Sequence, residues 1–448
     1  MAGSSRLVDL CEAIVDCPHS TPVWTDHGAV VLRNQNIRNG RLDLAERSYT
    51  DEAHFAERTR RATPMEGDLV ITREAPMGEV CMVPRALRCC LGQRMVLLRP
   101  DRNRTDPRYL LYALQSKAVQ HEIGVNEGTG STVSNLRIPL LEALLIPTRP
   151  LPEQRAIAHI LGTLDDKIEL IRRMNETLEA MARALFKSWF VDFDPVRAKL
   201  DGRKPTGLDA ATAALFPAHF QDSETGHIPK GWEIGRLGQY LETEIGGDWG
   251  EDDKFDGAIE VVALRGVDLQ HLRERGDAKP PRRWVKESSL AKRRMSARDV
   301  LIASSGAGPC GRPLWVSPHL EAAFPFPVLY SNFCKRYRAA SPAHAVYFDR
   351  VLFEMRQSGE IWDFVNGTSL PNLDSNGLMT GKSVLVPPVE ILEKFAAFIS
   401  SIYEHLYSRQ SRTLATLRDT LLPKLLSGEL NVPRFHHDDK SVVPFLTT

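Results

Sequence analysis

Asp68-Leu69-Val70-Ile71 and Asp299-Val300-Leu301-Ile302 are one short strand written twice, an acid followed by three apolar residues of which two are β-branched. Working outward, each flanking motif also recurs in the same order. Arg6-Leu7 is echoed by Arg236-Leu237, and Leu32-Arg33-Asn34-Gln35-Asn36-Ile37 by Leu264-Arg265-Gly266-Val267-Asp268-Leu269. Gly130-Ser131-Thr132-Val133-Ser134-Asn135-Leu136 returns as Gly367-Thr368-Ser369-Leu370-Pro371-Asn372-Leu373. Leu145-Ile146-Pro147 with Glu153 match Leu385-Val386-Pro387 with Glu393. The separation stays at roughly 230 to 240 residues, far too long for a solenoid period. Two half-chains have been duplicated, which predicts two similar surfaces facing one extended partner.

A chain of 448 residues accommodates two to four cores. Its 42% hydrophobic and 25% charged content is that of an ordinary globular protein. No apolar run is long enough for a membrane span, and Met1-Ala2-Gly3-Ser4-Ser5-Arg6 lacks the character of a secretory signal. Seven cysteines, an adjacent Cys89-Cys90 pair and no C-x-x-C read as reduced intracellular thiols, so a cytoplasmic location is expected. Net charge is zero, but its distribution is uneven. Lys279, Arg282, Arg283, Lys286, Lys292, Arg293, Arg294 and Arg298 face the single acid Glu287 within their run. Arg88, Arg94, Arg99, Arg102, Arg104 and Arg108 face only Asp101 and Asp106. Because the runs fall in corresponding parts of the repeats, a phosphate-facing role is expected of both.

The pattern divides the chain into blocks. Residues 1–150 and 230–388 mix short strand-like runs with Gly and Pro punctuation, as compact α/β domains do. Pro152 opens a helix in block 151–196, whose seam runs Leu164, Ile168, Ile171, Asn175, Leu178, Ala182, Leu185, Trp189 in alternating steps of four and three. Asn175 is a polar seam residue of the kind that fixes register. Residues 197–229 form a connector rich in Gly, Pro and Ala. A second helix is expected over 389–432, with Leu414, Leu417 and Leu421 aligned on Leu178, Met181 and Leu185, and a polar tail over 433–448. The expected fold is an α/β (α+β) tandem repeat, its two globular domains separated by two long antiparallel coiled-coil helices.

Catalytic strings are absent. Gly306-Ala307-Gly308-Pro309-Cys310-Gly311 fits G-x-G-x-x-G, but Pro309 and Pro313 oppose the helix a dinucleotide site needs. Gly377 to Ser383 has one residue too few between its glycines for a phosphate loop. No Asn-Pro-Pro or Asp-Pro-Pro occurs, and Asp192 and Asp194 read as helix-end acids, so no metal site is expected.

Leu151-Pro152-Glu153-Gln154-Arg155-Ala156-Ile157-Ala158-His159-Ile160-Leu161 resembles the start of the central conserved region of type I restriction-modification specificity subunits. Leu185-Phe186-Lys187-Ser188-Trp189-Phe190-Val191-Asp192-Phe193 resembles the end of that region's helix, and Leu421 to Leu430 the distal conserved region. Gly130 to Asn135 resembles the close of a target recognition domain. The likeness runs from end to end of the chain. It implies target recognition domains at 1–150 and 230–388, each reading half of a split double-stranded DNA site. It also implies two methyltransferase subunits and restriction/translocase subunits as partners. The chain itself would be a non-catalytic subunit with no cofactor, S-adenosylmethionine, ATP and Mg being bound only by those partners.

Base edges are read by forked or amide side chains. Asn34, Gln35, Asn36 and Arg38 form such a cluster after an apolar strand, with Arg265 at the matched place in the second repeat. Arg73 follows the Asp68 strand, and its counterparts fall at Ser304 and Ser305. Thr129, Ser131 and Thr368 are candidates for phosphate, and Lys292, Arg293 and Arg294 for backbone contact. Two other readings remain: a self-contained methyltransferase or nuclease, and a scaffold that docks proteins without DNA. If the helix pair sets the spacing of the half-sites, adding or deleting one heptad within Leu164 to Trp189 changes the spacer and neither half-site. Methylome sequencing that shows altered half-sites with the old spacer contradicts this.

Overall fold

The computed structural model describes residues 3–125, 135–276, 278–367, 369–407 and 410–432. They form two units, Met1–Ile168 with Thr413–Thr448 and Glu169–Arg412. The first is built on β1 (Gly3–Arg6), β2 (Cys11–Asp16), β3 (Ala29–Leu32), β4 (Ser48–Thr50), β5 (Leu69–Thr72), β6 (Val80–Met82), β7 (Cys89–Leu91), β8 (Met95–Pro100) and β9 (Leu145–Thr148). An antiparallel sheet runs in the order β2-β8-β5-β6. A second sheet, β4-β3-β7, has one antiparallel and one parallel ladder, and β1 pairs with β9.

The second unit repeats this plan strand for strand. Its strands are β10 (Glu233–Arg236), β11 (Leu241–Gly246), β12 (Ala258–Leu264), β13 (Arg282–Lys286), β14 (Asp299–Ala303), β15 (Pro313–Trp315), β16 (Val328–Tyr330), β17 (Cys334–Ala339) and β18 (Ser383–Val386). They pair as β11-β17-β14-β15, β13-β12-β16 and β10-β18, with every ladder in the same sense as in the first unit. One expected match shifts. The ladders place Leu145 opposite Arg6 and Ser383 opposite Arg236, so the Leu-x-Pro strings lie two residues out of structural register. A slip of two keeps each side chain on its own face, which is why the apolar pattern does not reveal it.

The Asp-led strands β5 and β14 are buried along their length inside each four-stranded sheet. Leu69 and Ile71 pack with Val96, Leu98, Tyr109 and Ile157 on one face, while Val70 and Leu97 meet Val30, Leu32 and Leu91 on the other. The acid that opens each strand has a structural task. Asp68 accepts from Met65 N (2.9 Å) and from both prongs of Arg99 (3.0 and 2.8 Å); Asp299 accepts from Ser296 N (2.7 Å) and both prongs of Arg338 (2.7 and 2.9 Å). Buried carboxylates are tolerated only when paired in this way.

One helix flanks the sheets at a comparable place in each unit, α1 (Pro107–Leu114) and α4 (Pro342–Ser358), and the second unit adds α3 (Gly266–Arg275) where the first has only the turn Asn34–Asn36. The long helix α2 (Leu151–Phe190) is continuous across the unit boundary. All its seam residues from Leu164 to Trp189 are buried or half-buried, whereas Leu170, Met174 and Met181 between them are exposed. The expected single distal helix is two, α5 (Val389–Leu406) and α6 (Gln410–Ser427). In the first unit the start of α2 packs antiparallel on α6: Ile157 shares a core with Leu425 and Leu426, and Asp165 holds Arg418 at 2.7 Å. In the second unit, Phe186, Trp189 and Phe190 at the end of α2 surround Phe395 of α5 at ring distances of 6.0, 6.1 and 5.1 Å.

Leu417 does not join the seam. It is exposed, as is its partner in the alignment, Met181, and the inward position beside it belongs to Arg418. Asn175 is buried, yet it donates to the carbonyl of Arg275 at the end of α3 (3.4 Å) instead of meeting a polar residue across a coiled coil. The connector is folded: helices Asp194–Leu200 and Ala210–Leu215 and the hairpin Phe220–Ser223/Gly226–Pro229 bring Phe216 and Trp232 into the core. Arg350 grips Glu179 of α2 (2.5 and 3.1 Å), and Arg273 is bonded to Asp349, so α3 and α4 are tied to α2 through buried charges. Among the described residues no helix is long and apolar enough to cross a membrane.

Asp165 receives the Tyr112 hydroxyl (2.6 Å), Arg418 (2.7 Å) and Arg41 (3.3 Å). Burial opposes its charge, but these partners prevail and its carboxyl titrates below the ordinary range. Its contribution is therefore present above the ordinary carboxylate range and lost as pH falls through the lowered value. Asp165→Asn is expected to cost about 2 kcal/mol at neutral pH and to flatten the acid limb of stability. Urea unfolding from pH 3 to 7 checks this; a variant that parallels the parent at every pH refutes it.

Candidate functional site

Each four-stranded sheet has an end where several chain segments converge, and the backbone there is tied identically in both units. In the first, Cys17 N donates to Met95 O (3.1 Å), Arg73 N to Arg94 O (2.8 Å) and Leu136 N to Arg73 O (3.0 Å). In the second, Gly247 N donates to Cys334 O (3.1 Å), Ser304 N to Phe333 O (2.8 Å) and Leu373 N to Ser304 O (2.8 Å). The repeated Asn-Leu closing strings are thus sewn onto the strand ends that the Asp-led motif begins. Thr129, Ser131 and Thr368 fall within or next to these closing segments, but lie outside the described residues.

Several predicted readers prove structural. Asn36 is buried: its Oδ1 accepts from Arg33 N (2.9 Å) and its amide donates to Asp43 O and Glu46 O (3.0 and 3.1 Å), which leaves nothing for a base. Asp268 caps the same turn in the second unit, accepting from Arg265 N (2.8 Å) and Nε (2.9 Å), so Arg265 is held by its own cap. Arg73 binds Asp16 (2.9 Å), Leu136 O (2.9 Å) and Asn135 Oδ1 (3.2 Å) and is a clamp on the closing segment. Ser304 and Ser305 are buried; the Ser304 hydroxyl donates to Phe333 O (3.0 Å) and Ser305 bridges to Asn372. Asn34 donates to Glu74 O, while Gln35 and Arg38 are exposed.

The basic runs divide similarly. Arg88, Arg94, Arg99, Arg104 and Arg108 pair with Glu52, Glu74, Asp68, Asp101 and Asp166, so the first run serves mainly the fold. Arg293 donates to Gly246 O (2.9 Å) and Ser289 Oγ (2.7 Å). Lys292 and Arg294 are exposed and form no ion pair among the described residues. Because Arg293 reaches Gly246 and Asp248 N bonds Tyr330 O (2.9 Å), these cations share the sheet end that carries Phe333. As candidate base readers, sequence reasoning missed Arg94 and Phe333, each an exposed turn residue at the matched sheet end of its own unit. Arg94 stood inside a basic run; an apolar Phe333 before a strand reads as core.

The cysteines are not poised for chemistry. Burial pushes the Cys90 thiol up to about 11 and the Cys334 thiol up to about 12, far from a thiolate nucleophile at neutral pH. Gly306 to Gly311 is a turn leading directly into β15, and Gly377 lies inside the helix Ser375–Gly381. Asp192 pairs with Lys187 at 2.5 Å, and no cluster of three metal-ligating side chains occurs among the described residues.

Residues 7–180 match the family described as Type I restriction modification DNA specificity domain. The type I restriction enzyme MjaIX specificity subunit of Methanocaldococcus jannaschii is 27% identical over 396 residues, covering 87% of this chain and 83% of its own. The HindI specificity subunit of Haemophilus influenzae is 24% identical over 385 residues, 76% of this chain and 81% of its own. In fold, the chain is similar along 95% of its length to the type I restriction-modification S subunit from M. genitalium, at a TM-score of 0.53, 16% identity and 96% coverage of that chain. The chain thus carries a match to this specificity-domain family over residues 7–180 and is similar along most of its length to type I specificity subunits.

If Arg73 is a clamp, Arg73→Ala leaves Leu136 O without its side-chain donor and Asp16 with His19 as its remaining side-chain partner, and costs about 1–3 kcal/mol. Chemical denaturation tests this. Unchanged stability would return Arg73 to the list of readers.

Proposed function

We propose that this chain recognises double-stranded DNA at an asymmetric, two-part sequence, and does so with the matched sheet ends of its two units. One observation carries the reading: the backbone ties at those ends are the same in both units, while the exposed side chains they present differ. A shared frame with divergent tips suits two readers of unlike sequences. The exposed Lys292 and Arg294 supply phosphate contacts that set position without specifying sequence.

In this reading the chain is non-catalytic. It positions two methyltransferase subunits and, through them, restriction/translocase subunits, and S-adenosylmethionine, ATP and Mg belong to those partners. The absence of an Asn/Asp-Pro-Pro-aromatic segment supports that division of labour. Its place of action is the cytoplasm.

Because the chain carries no net positive charge and many of its arginines are paired internally, affinity of the isolated chain is expected to be modest and to rise on assembly. Binding of the assembled complex to its site should fall steeply with salt, and Lys292→Ala and Arg294→Ala should each reduce the log–log slope by about one, equally for all sequences. Fluorescence-anisotropy titrations across salt concentrations give the slopes. Affinity indifferent to salt would favour the protein-docking scaffold.

A further inference from the structure

Arg94 and Phe333 occupy the same turn of the two units. Each precedes the strand that pairs on both sides within its sheet, β8 or β17. Each has its carbonyl fixed by the residue ending the neighbouring strand, Arg73 N at 2.8 Å and Ser304 N at 2.8 Å, the latter joined by the Ser304 hydroxyl at 3.0 Å. Arg94 adopts the left-handed region, φ 66°, so its backbone is set by the turn and not by side-chain packing. Both side chains remain 54% exposed. An exposed phenylalanine on a pinned turn is not there for the core.

The neighbours change together with these residues. Glu74 follows Arg73, and its carboxylate orients Arg94 through Nε (3.1 Å) while being held itself by Asn135 Nδ2 (2.8 Å). Neither Nη nitrogen makes a hydrogen bond among the described residues, and the pair faces outward as a fork suited to a planar acceptor pair. At the corresponding place in the second unit stands Ser305, which is buried and bridged to Asn372. Cation and counterion have thus been replaced as a pair, by Phe333 and a small polar residue. Beside it, Leu370 is exposed on the closing segment, whose Pro371 carbonyl accepts from Gly306 N (3.1 Å). One tip is forked and charged; the other is apolar.

Guanine presents O6 and N7 to a forked donor in the major groove, and thymine presents a methyl group to an apolar one. We propose that this turn is a specificity position in both units: Arg94 recognises a guanine in one half-site, and Phe333 a thymine methyl in the other. This rests on the DNA-recognition reading above and adds which residues and bases carry part of it.

The test is selection from a duplex library randomised across both half-sites, using the full chain assembled with its methyltransferase subunits. Arg94→Ala should lose about tenfold preference for guanine at one position of one half-site and leave the other half-site intact. Phe333→Ala should lose preference for thymine at one position of the other half-site. Replacing that thymine by uracil, which removes only the methyl group, should weaken the parent several-fold and leave Phe333→Ala unaffected. The double variant Phe333→Arg, Ser305→Glu should acquire guanine there. Both single-site residues are exposed, so folding is checked simply by circular dichroism. If the parent selects a two-part sequence and the alanine variants select the same bases with the same stringency, the assignment is wrong while the function stands. If the parent selects no sequence, the DNA-recognition reading itself fails.

Discussion

The constraint on which this architecture depends is that β5 and β14 are buried along their whole length, so each backbone N–H and C=O in them needs a partner within the protein. That requirement dictates hydrogen-bonded neighbours on both sides, here antiparallel, and a tied turn at the exit, while the buried acid at the entry needs its arginine. Substitutions that disturb any of these leave buried polar groups unsatisfied, at a cost of about 1–3 kcal/mol each. The frame has therefore been retained in both copies. Freedom is left at the tips, where side chains project beyond the last paired carbonyl.

The neutral charge of the chain follows from the same economy of placement. Arginines that look like a phosphate-binding run in sequence hold Asp68, Asp166 and Glu52, and Arg283 is bonded to Asp252. Planar forks suit such bidentate pairing of carboxylates. Buried pairs such as Arg350 with Glu179 fix helices against domains, a geometric role that an apolar contact would fill less specifically. Lys292 and Arg294 stay exposed beside one of the sheet ends, within reach of a polyanionic partner.

Duplication, the strand motifs and the long helix were legible because each is a local pattern: an acid with apolar followers, a proline start, a seam in steps of three and four. The fate of polar loop residues was not. Asn36 and Gln35 are adjacent, yet one is wrapped by Asp43 and Glu46 carbonyls and the other is open to solvent. Arg73 became a clamp only because Asn135 and Leu136 return from more than sixty positions away in sequence, a closure no local spacing encodes. Leu417 shows the converse: an apolar residue at a permitted step is exposed because Arg418 takes the inward position to reach Asp165.

The central claim is that the two units are equivalent readers sharing one frame. Its most direct test is a chain in which residues 3–148, from β1 through β9, are replaced by residues 233–386, from β10 through β18. Methylome sequencing of cells carrying that chain with its methyltransferase partner should reveal a target whose halves both carry the second unit's half-site sequence. Persistence of the first unit's half-site in that methylome would contradict the account.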